Sequence, residues 1–319
     1  MYRKRTRADA AFNYRARIRR KRIVFAIIAL AALGVIFVTV RPLSLNMGTR
    51  AGIQRREILR LWENGYYSEV FELCGAALVS RPTDYFLLTM QGFSAFQMGV
   101  SRINNLDAAY YFDECVRSLR KAMLLKNAAN DGRLFYVLGK AYWYKGDGFA
   151  DLSVKYLEKA RELSHNASDI PEFLGMAYAS LGDYRNSVAA FSEALNPSAG
   201  SSEQPGLLLL SMARSYIALN EYETARAYLH RCIAVSPDSN VVRQARLLLS
   251  DVLVNTGDIG GAIRLLAVML EEFGENAEVR FRLGELYFRQ GDTARARAEW
   301  RLAVRADPAH AGARLRLSL

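Results

Sequence analysis

The chain has 319 residues, 51% of them apolar and only seven of them proline, so it can bury a substantial core. Its net charge of +11 would favour a nucleic-acid partner, but residues 1–22 hold ten Lys/Arg and one Asp, while the other 297 residues carry 33 basic and 31 acidic side chains. The folded part is therefore close to neutral, and the basicity belongs to an N-terminal tail.

Residues 23–40, IVFAIIALAALGVIFVTV, form an uncharged run directly after the basic tail. As a helix this run would be about 27 Å long, close to the hydrocarbon thickness of a bilayer. We therefore predict a single-pass transmembrane signal anchor over 23–40. The positive charge before it places the tail 1–22 in the cytoplasm and the rest of the chain across the membrane.

Other interpretations of this segment stay open. The run could be a cleaved signal peptide, although it is long for one and VTVRPL offers no clear small-x-small cleavage site. It could also be a buried core helix. The tail could bind nucleic acid, but its position next to the apolar run is better explained by membrane topology and anionic lipid. Residues 41–50 are predicted to be a short linker.

A pattern of small, aromatic and turn residues recurs along the rest of the chain. Its aromatic or apolar position recurs at steps of 36, 38, 37 and 34 residues, at Tyr142, Tyr178, Tyr216, Leu253 and Tyr287. One copy contains Leu174, Gly175 and Tyr178, then Gly182, then Phe191 and Ala194, and ends near Pro197.

This pattern resembles the tetratricopeptide repeat (TPR) family, whose unit of about 34 residues is a helix–turn–helix. The resemblance implies an all-α superhelical solenoid of about seven helical hairpins over residues 51–308, preceded by the transmembrane helix. The copy over 85–125 contains an extra stretch around VSRINNLDA, and the first copy has a weak first helix. Residues 309–319 are predicted to be a helix that caps the last repeat.

The three cysteines fall at packing positions of this repeat. Cys74, Cys115 and Cys232 are far apart, odd in number and outside any CxxC motif, so we predict buried structural thiols and no disulfide framework. The three histidines show no metal-ligand spacing. No nucleophile elbow, phosphate loop or zinc-protease motif is present in the sequence. We therefore expect no enzyme activity, cofactor or metal.

Function in such a solenoid is expected from its concave groove, which first-helix residues line. The predicted partner-binding residues are Arg133, Tyr136, Lys140, Trp143, Tyr144, Met176, Arg214, Phe281 and Phe288. Aromatic and arginine side chains are frequent interface anchors, although any one ring could instead pack against a neighbouring repeat. The Lys/Asn carboxylate clamp of chaperone-binding TPR proteins is absent, so an amphipathic helix or an extended peptide fits the groove better.

The whole sequence is similar to membrane-anchored bacterial envelope TPR scaffolds. We expect a protein of the inner (cytoplasmic) membrane that carries its solenoid in the periplasm and recruits protein partners for machinery such as secretion, division or flagellar motor complexes. We expect no nucleic-acid partner, while self-association or a larger assembly stays open. The alternatives are a cytoplasmic-facing TPR adaptor and a non-catalytic platform of an envelope enzyme complex.

Overall fold

A computed structural model describes residues 52, 54–102, 105–196 and 205–318. The predicted tail, transmembrane segment and linker (1–22, 23–40 and 41–50) lie outside the described residues. Within the described part of the chain, no helix combines the length and the apolar character needed to cross a bilayer. The chain divides into two compact units, Met1–Cys74 and Gly75–Leu319.

The first unit contains a helical hairpin. Helix α1 covers residues 54–63, and helix α2 covers Tyr67–Leu78, whose last residues belong to the second unit. The rings of Trp62 and Tyr67 meet edge to face at a centroid distance of 5.0 Å across the turn between the two helices. The first helix of this copy, which the sequence pattern indicates only weakly, is therefore present.

The second unit is a stack of antiparallel helix pairs. Its helices are α3 (Tyr85–Val100), α4 (Asn105–Met123), α5 (Gly132–Tyr144), α6 (Ala150–Glu162), α7 (Ile170–Ser180), α8 (Tyr184–Ala194), α9 (Pro205–Ala218), α10 (Tyr222–Val235), α11 (Ser239–Asn255), α12 (Ile259–Phe273), α13 (Ala277–Arg289), α14 (Thr293–Ala306) and α15 (Ala311–Ser318). Each helix packs mainly on its neighbours along the chain, and no strand occurs among the described residues. The predicted all-α, TPR-like solenoid is confirmed.

Short polar residues define where these helices begin. The side chains of Asp131, Asp183 and Asp258 each accept a hydrogen bond from a backbone N–H in the first turn of α5, α8 and α12. Such a cap satisfies a donor that the helix leaves unpaired, and contributes about 1 kcal/mol. The turn between α7 and α8 needs a left-handed residue, which is Gly182 at φ 75°, whereas Asn220 at φ 60° takes this role between α9 and α10.

The two helices of a pair approach closely where a small residue faces a large one. A Cβ atom added to Gly139 would come within 2.7 Å of the Leu157 side chain, and one added to Gly175 within 2.5 Å of Phe191. Gly284 faces the Trp300 ring in the same way. The recurring glycine of the sequence pattern therefore marks the closest contact inside each of these hairpins.

The three cysteines are buried, as predicted. Burial raises the pKa of the Cys115 and Cys232 thiols, which disfavours the reactive thiolate. The Cys232 sulfur donates to the carbonyl of Gly206 at 3.2 Å. These residues therefore serve as small core side chains.

Two regions add to the simple repeat pattern. The extra stretch around residue 100 lengthens the second hairpin, because α3 has 16 residues and α4 has 19, whereas α7 and α8 have 11 each. Near the other end of the chain, α15 packs on α14. The Gly312 Cα lies against the Phe281 ring, where an added Cβ would come within 2.9 Å of it.

Candidate functional site

The nine predicted groove residues fall into three places in the second unit. Trp143, Met176 and Arg214 line one cavity. The other residues of α5, which are Arg133, Tyr136, Lys140 and Tyr144, contact an aromatic and ionic network shared with α3 and α7. Phe281 and Phe288 lie on α13 and belong to neither group.

The cavity has a volume of about 410 Å³, which lies within the range of small-ligand pockets. It opens where the first helices α5, α7 and α9 run side by side, with α8 contributing from the second-helix layer. Its lining residues are Trp143, Met176, Ala179, Ser180, Tyr184, Phe191, Ser211, Arg214, Ser215 and Ala218. We call this space the α5–α7–α9 cavity.

The repeat explains why these side chains meet. Met176 and Arg214 lie at equivalent positions of α7 and α9, and Trp143 lies three residues further along α5, about one helical turn away, so stacking brings them to one face. Phe191 is almost fully buried and forms the apolar floor. Small residues at Ala179 and Ala218 leave the space above it open.

The polar groups of the cavity lie at its edge and base. The Ser215 hydroxyl lies 3.0 Å from the Ser187 hydroxyl in a buried pair that links α8 to α9. The Arg214 guanidinium is exposed, and its Nη2 donates to the side-chain oxygen of Gln244 on α11 at 2.9 Å. Arg214 is the one charged residue that lines the cavity.

A compact ionic network lies beside the cavity, on α5 and the start of α7. The Lys140 ammonium donates to Asp169 Oδ2 at 2.6 Å and to the Tyr136 hydroxyl at 3.0 Å. The Tyr136 hydroxyl in turn donates to both Asp169 oxygens at 2.9 Å. Burial, reinforced by the nearby Asp169 carboxylate, raises the pKa of Tyr136, so its hydroxyl remains a donor.

Aromatic rings surround the Lys140 ammonium. It lies 4.5 Å from the ring centroid of Phe173, 5.0 Å from that of Tyr136 and 5.7 Å from that of Phe96. Its side chain is only 14% exposed. Lys140 is therefore a partly buried cation with its own carboxylate and aromatic partners, and little of its charge is left for an external ligand.

Tyr144 joins this network to a second cavity. Its ring stacks on Phe112 at 5.1 Å and 7° between the planes, and it contacts Phe173 at 6.0 Å. The second cavity, of about 520 Å³, lies beside the lengthened α3–α4 hairpin. It is lined by Gly99, Val100, Arg102, Ala108, Ala109, Phe112, Tyr144 and Lys145. Arg133, by contrast, is exposed and lies over the Phe93 ring at 5.1 Å.

The two phenylalanines of α13 contact the C-terminal helices. Phe281 packs against His310 at a ring distance of 5.0 Å and belongs to the apolar cluster of α14 and α15. Phe288 is 45% exposed and lies 5.7 Å from the Trp300 ring, with the Arg316 guanidinium 5.3 Å above it. The structure thus places Phe281 in the packing of the last helices.

Sequence reasoning missed several residues of the site. Asp169, Phe96 and Phe173 hold Lys140, and Gln244 holds Arg214. Asp169 directly precedes α7, where an acidic residue looks like an ordinary helix-start signal. Among the described residues, no group of three or more His, Cys, Asp or Glu side chains could hold a metal ion.

The repeated hairpins with small–large contacts define a helical-repeat protein of the solenoid class. The sequence profile of the tetratricopeptide repeat-like domain matches residues 155–319, slightly more than half of the chain. The chain therefore belongs to this family. The TPR fold is consistent with a protein–protein interaction scaffold, and TPR proteins are generally non-catalytic.

The solved structures that the chain resembles include the C-terminal part of a TPR repeat-containing protein from Cytophaga hutchinsonii. It is 14% identical with a TM-score of 0.61, and the match covers 83% of this chain and all of the other. A TPR protein from Parabacteroides merdae is also 14% identical, with a TM-score of 0.49 over 84% of this chain and 97% of the other. YrrB, described as a TPR protein with an unusual peptide-binding site, is 20% identical, with a TM-score of 0.49 over 64% of this chain and all of YrrB. No curated protein matches the chain.

Proposed function

We propose that the protein is a membrane-anchored scaffold that recruits protein partners through the first-helix face of its solenoid. The observation that supports this most strongly is the α5–α7–α9 cavity, where Trp143, Met176 and Arg214 from three successive repeats converge. Aromatic and arginine side chains around a pocket are typical anchors of protein interfaces. The partner would insert an amphipathic helix or an extended segment.

The anchor in this proposal is the apolar run 23–40, with the basic tail 1–22 in the cytoplasm and the solenoid on the other side of the inner membrane. Anchoring would confine the scaffold and its partners to a membrane surface, which raises their effective concentration and allows weak contacts to suffice. Envelope machinery such as secretion, division or flagellar motor complexes would use such an assembly factor.

Site-specific crosslinking in membranes tests the docking proposal. A photoreactive amino acid at Trp143 should capture a partner protein, identifiable by mass spectrometry. The matched control places the same amino acid at Val268, an exposed residue of the second-layer helix α12. Equal capture at both positions, or no protein captured at Trp143, would count against docking at this face.

The topology proposal has a separate test. A reporter enzyme that is active only outside the cytoplasm, fused after residue 319, should be active in the full chain. Replacing the ten Lys/Arg of residues 1–22 with neutral residues should reduce this activity, because the charge asymmetry sets the orientation. A reporter that is inactive in the full chain would instead indicate a cytoplasmic solenoid.

A further inference from the structure

We propose that the α5–α7–α9 cavity binds an extended peptide segment in which a bulky apolar side chain lies next to an Asp or Glu. The cavity would take the apolar side chain, and Arg214 at its edge would bind the neighbouring carboxylate. This inference rests on the proposed function and specifies the chemistry of the partner at that same face.

The interior of the cavity fits a large apolar side chain. Trp143 and Met176 provide apolar surface on one side, and the buried Phe191 ring lies at the base. The flexible Met side chain can adapt to the shape of an apolar partner group, and the large Trp ring buries much apolar surface against it. Tyr184 and Ser211 also line the cavity, and their side chains carry hydroxyl groups that can hydrogen-bond the backbone of an extended peptide.

The positive charge of Arg214 at the edge of the cavity favours an acidic residue next to the apolar residue of the peptide. Two other cations on the first helices have carboxylate partners: Lys140 pairs with Asp169 at 2.6 Å, and Arg282 with Asp251 at 2.5 Å and with Glu278 at 2.7 Å. Arg214 differs from both, because its hydrogen bond goes to the neutral amide of Gln244.

The lining of the cavity does not neutralise Arg214, since it contains no Asp or Glu. A guanidinium has five donors in a planar fork, and one bond to an amide leaves several of them directed to solvent. A carboxylate can accept two of these donors in parallel, and such charge-assisted pairs are stronger and more directional than neutral hydrogen bonds.

The test uses a phage-displayed library of random dodecapeptides selected on the full-length protein in detergent. Selected peptides should be enriched in an aromatic or large aliphatic residue within two positions of an Asp or Glu. Selection on Arg214→Gln should retain the apolar preference and lose the acidic one. Trp143 lies in the cavity, so its fluorescence should change on binding of a selected peptide.

Affinities of one selected peptide then separate charge from shape. Arg214→Gln should weaken binding about tenfold or more. Gln244→Glu keeps Arg214 and the side-chain size but supplies an internal carboxylate, and should weaken binding as well. The matched control is Arg226→Gln, a partly exposed arginine of α10 that pairs with Glu223 away from the cavity lining, and it should leave the affinity unchanged.

Three results would overturn the inference: selected peptides without an acidic preference, equal peptide affinity in the wild type and Arg214→Gln, or selection of no specific peptide. Retention of the selected peptide by Gln244→Glu at full affinity would also contradict the role of the Arg214 charge. The crosslinking at Trp143 is independent of these results. A protein captured there by a chain that fails the peptide tests would leave the scaffold function standing and remove only the acidic-peptide chemistry.

Discussion

At the scale of single residues, Asp169 shows how one carboxylate organises several neighbours. It accepts hydrogen bonds from both Tyr136 and Lys140, and the Lys140 ammonium is enclosed by rings from three helices. A partly buried ammonium without its counter-ion is costly, whereas a neutral side chain of similar length is tolerated among aromatic rings. The pair therefore holds the first-helix face in one arrangement next to the cavity.

We expect Asp169→Asn to destabilise the protein by about 1–3 kcal/mol, because the amide keeps the shape and removes the charge that balances Lys140. Lys140→Met should cost less, and the double variant should be more stable than Asp169→Asn alone. Thermal and urea unfolding of the three variants measures this order. A double variant that is less stable than both single variants would contradict it.

A second residue-scale prediction concerns alkaline pH. Burial, followed by the hydrogen bond to Asp131 at 2.7 Å and its negative charge, raises the pKa of Tyr85. The folded state therefore keeps this proton above pH about 10, the pKa of an unfolded tyrosine, and the stability that Tyr85 contributes is lost as pH rises further.

Tyr85→Phe removes this dependence. Below pH 9 we expect the variant to be less stable by about 1 kcal/mol, for the lost hydrogen bond. Above pH 10 the difference in the free energy of unfolding between the wild type and Tyr85→Phe should shrink by less than about 1 kcal/mol per pH unit, since Tyr85 is only partly buried and solvent screens the interaction. Urea unfolding between pH 8 and 11.5 measures the gap, and a gap that stays constant over this range would exclude the assigned role of Tyr85.

The residue-level site was only partly predictable from the sequence. Repeat spacing predicted Trp143, Met176 and Arg214 on the groove side of the first helices, and in the structure the three line one cavity. It could not identify Asp169 or Gln244, whose partners lie about 30 residues away on another repeat, since side-chain pairs across repeats leave no periodic signal. Phe281 was predicted at the groove for the same periodic reason, yet α15 packs on it.

At the scale of helices, the paired small and large residues explain why each hairpin closes tightly. Glycine inside a helix normally lowers its stability relative to alanine. Gly175 is tolerated because the Phe191 ring occupies the space where its Cβ would be. The sequence pattern predicted these pairs well. It treated the stretch around residue 100 as an insertion and did not predict the long helices there, because helix length depends on how far α3 and α4 can keep packing.

We expect Gly175→Ala to lower the free energy of unfolding by about 1–3 kcal/mol, through the clash of the new methyl group with the Phe191 ring. Gly260→Ala is the matched control: it also lies in a helix, but its Cβ would meet the flexible end of Arg264 at 3.4 Å and Asp258 Oδ1 at 4.0 Å, which are ordinary contact distances. The control should be neutral or stabilising, as alanine usually is in a helix. Unfolding curves that change in the same direction for both variants would contradict the packing role of Gly175.

At the scale of the whole molecule, the second unit is held together by contacts between neighbouring helices. Consecutive helices account for most of its packing, and its described apolar clusters lie within or between adjacent hairpins. In such an arrangement, stability is close to a sum of local contributions from each repeat and its interfaces. A defect in one hairpin should therefore affect nearby helices most.

Hydrogen exchange tests this locality. In Gly175→Ala we expect faster amide exchange in α7 and α8, a smaller change in the adjoining α6 and α9, and no change in α13 and α14 at the same denaturant concentration. Mass spectrometry of peptic fragments gives the rates helix by helix. Equal acceleration in α13 and α14 would show that the second unit unfolds as one cooperative block.

The matched sizes inside the hairpins also bear on errors during folding. The space beside Gly139 is filled by a leucine side chain, the space beside Gly175 by a phenylalanine, and the space beside Gly284 by a tryptophan. A second helix docked on the wrong partner would leave an empty space or collide with its neighbour. Copies of one pattern along a chain invite such exchanges, and the different sizes of the paired side chains favour the correct pairing within each copy.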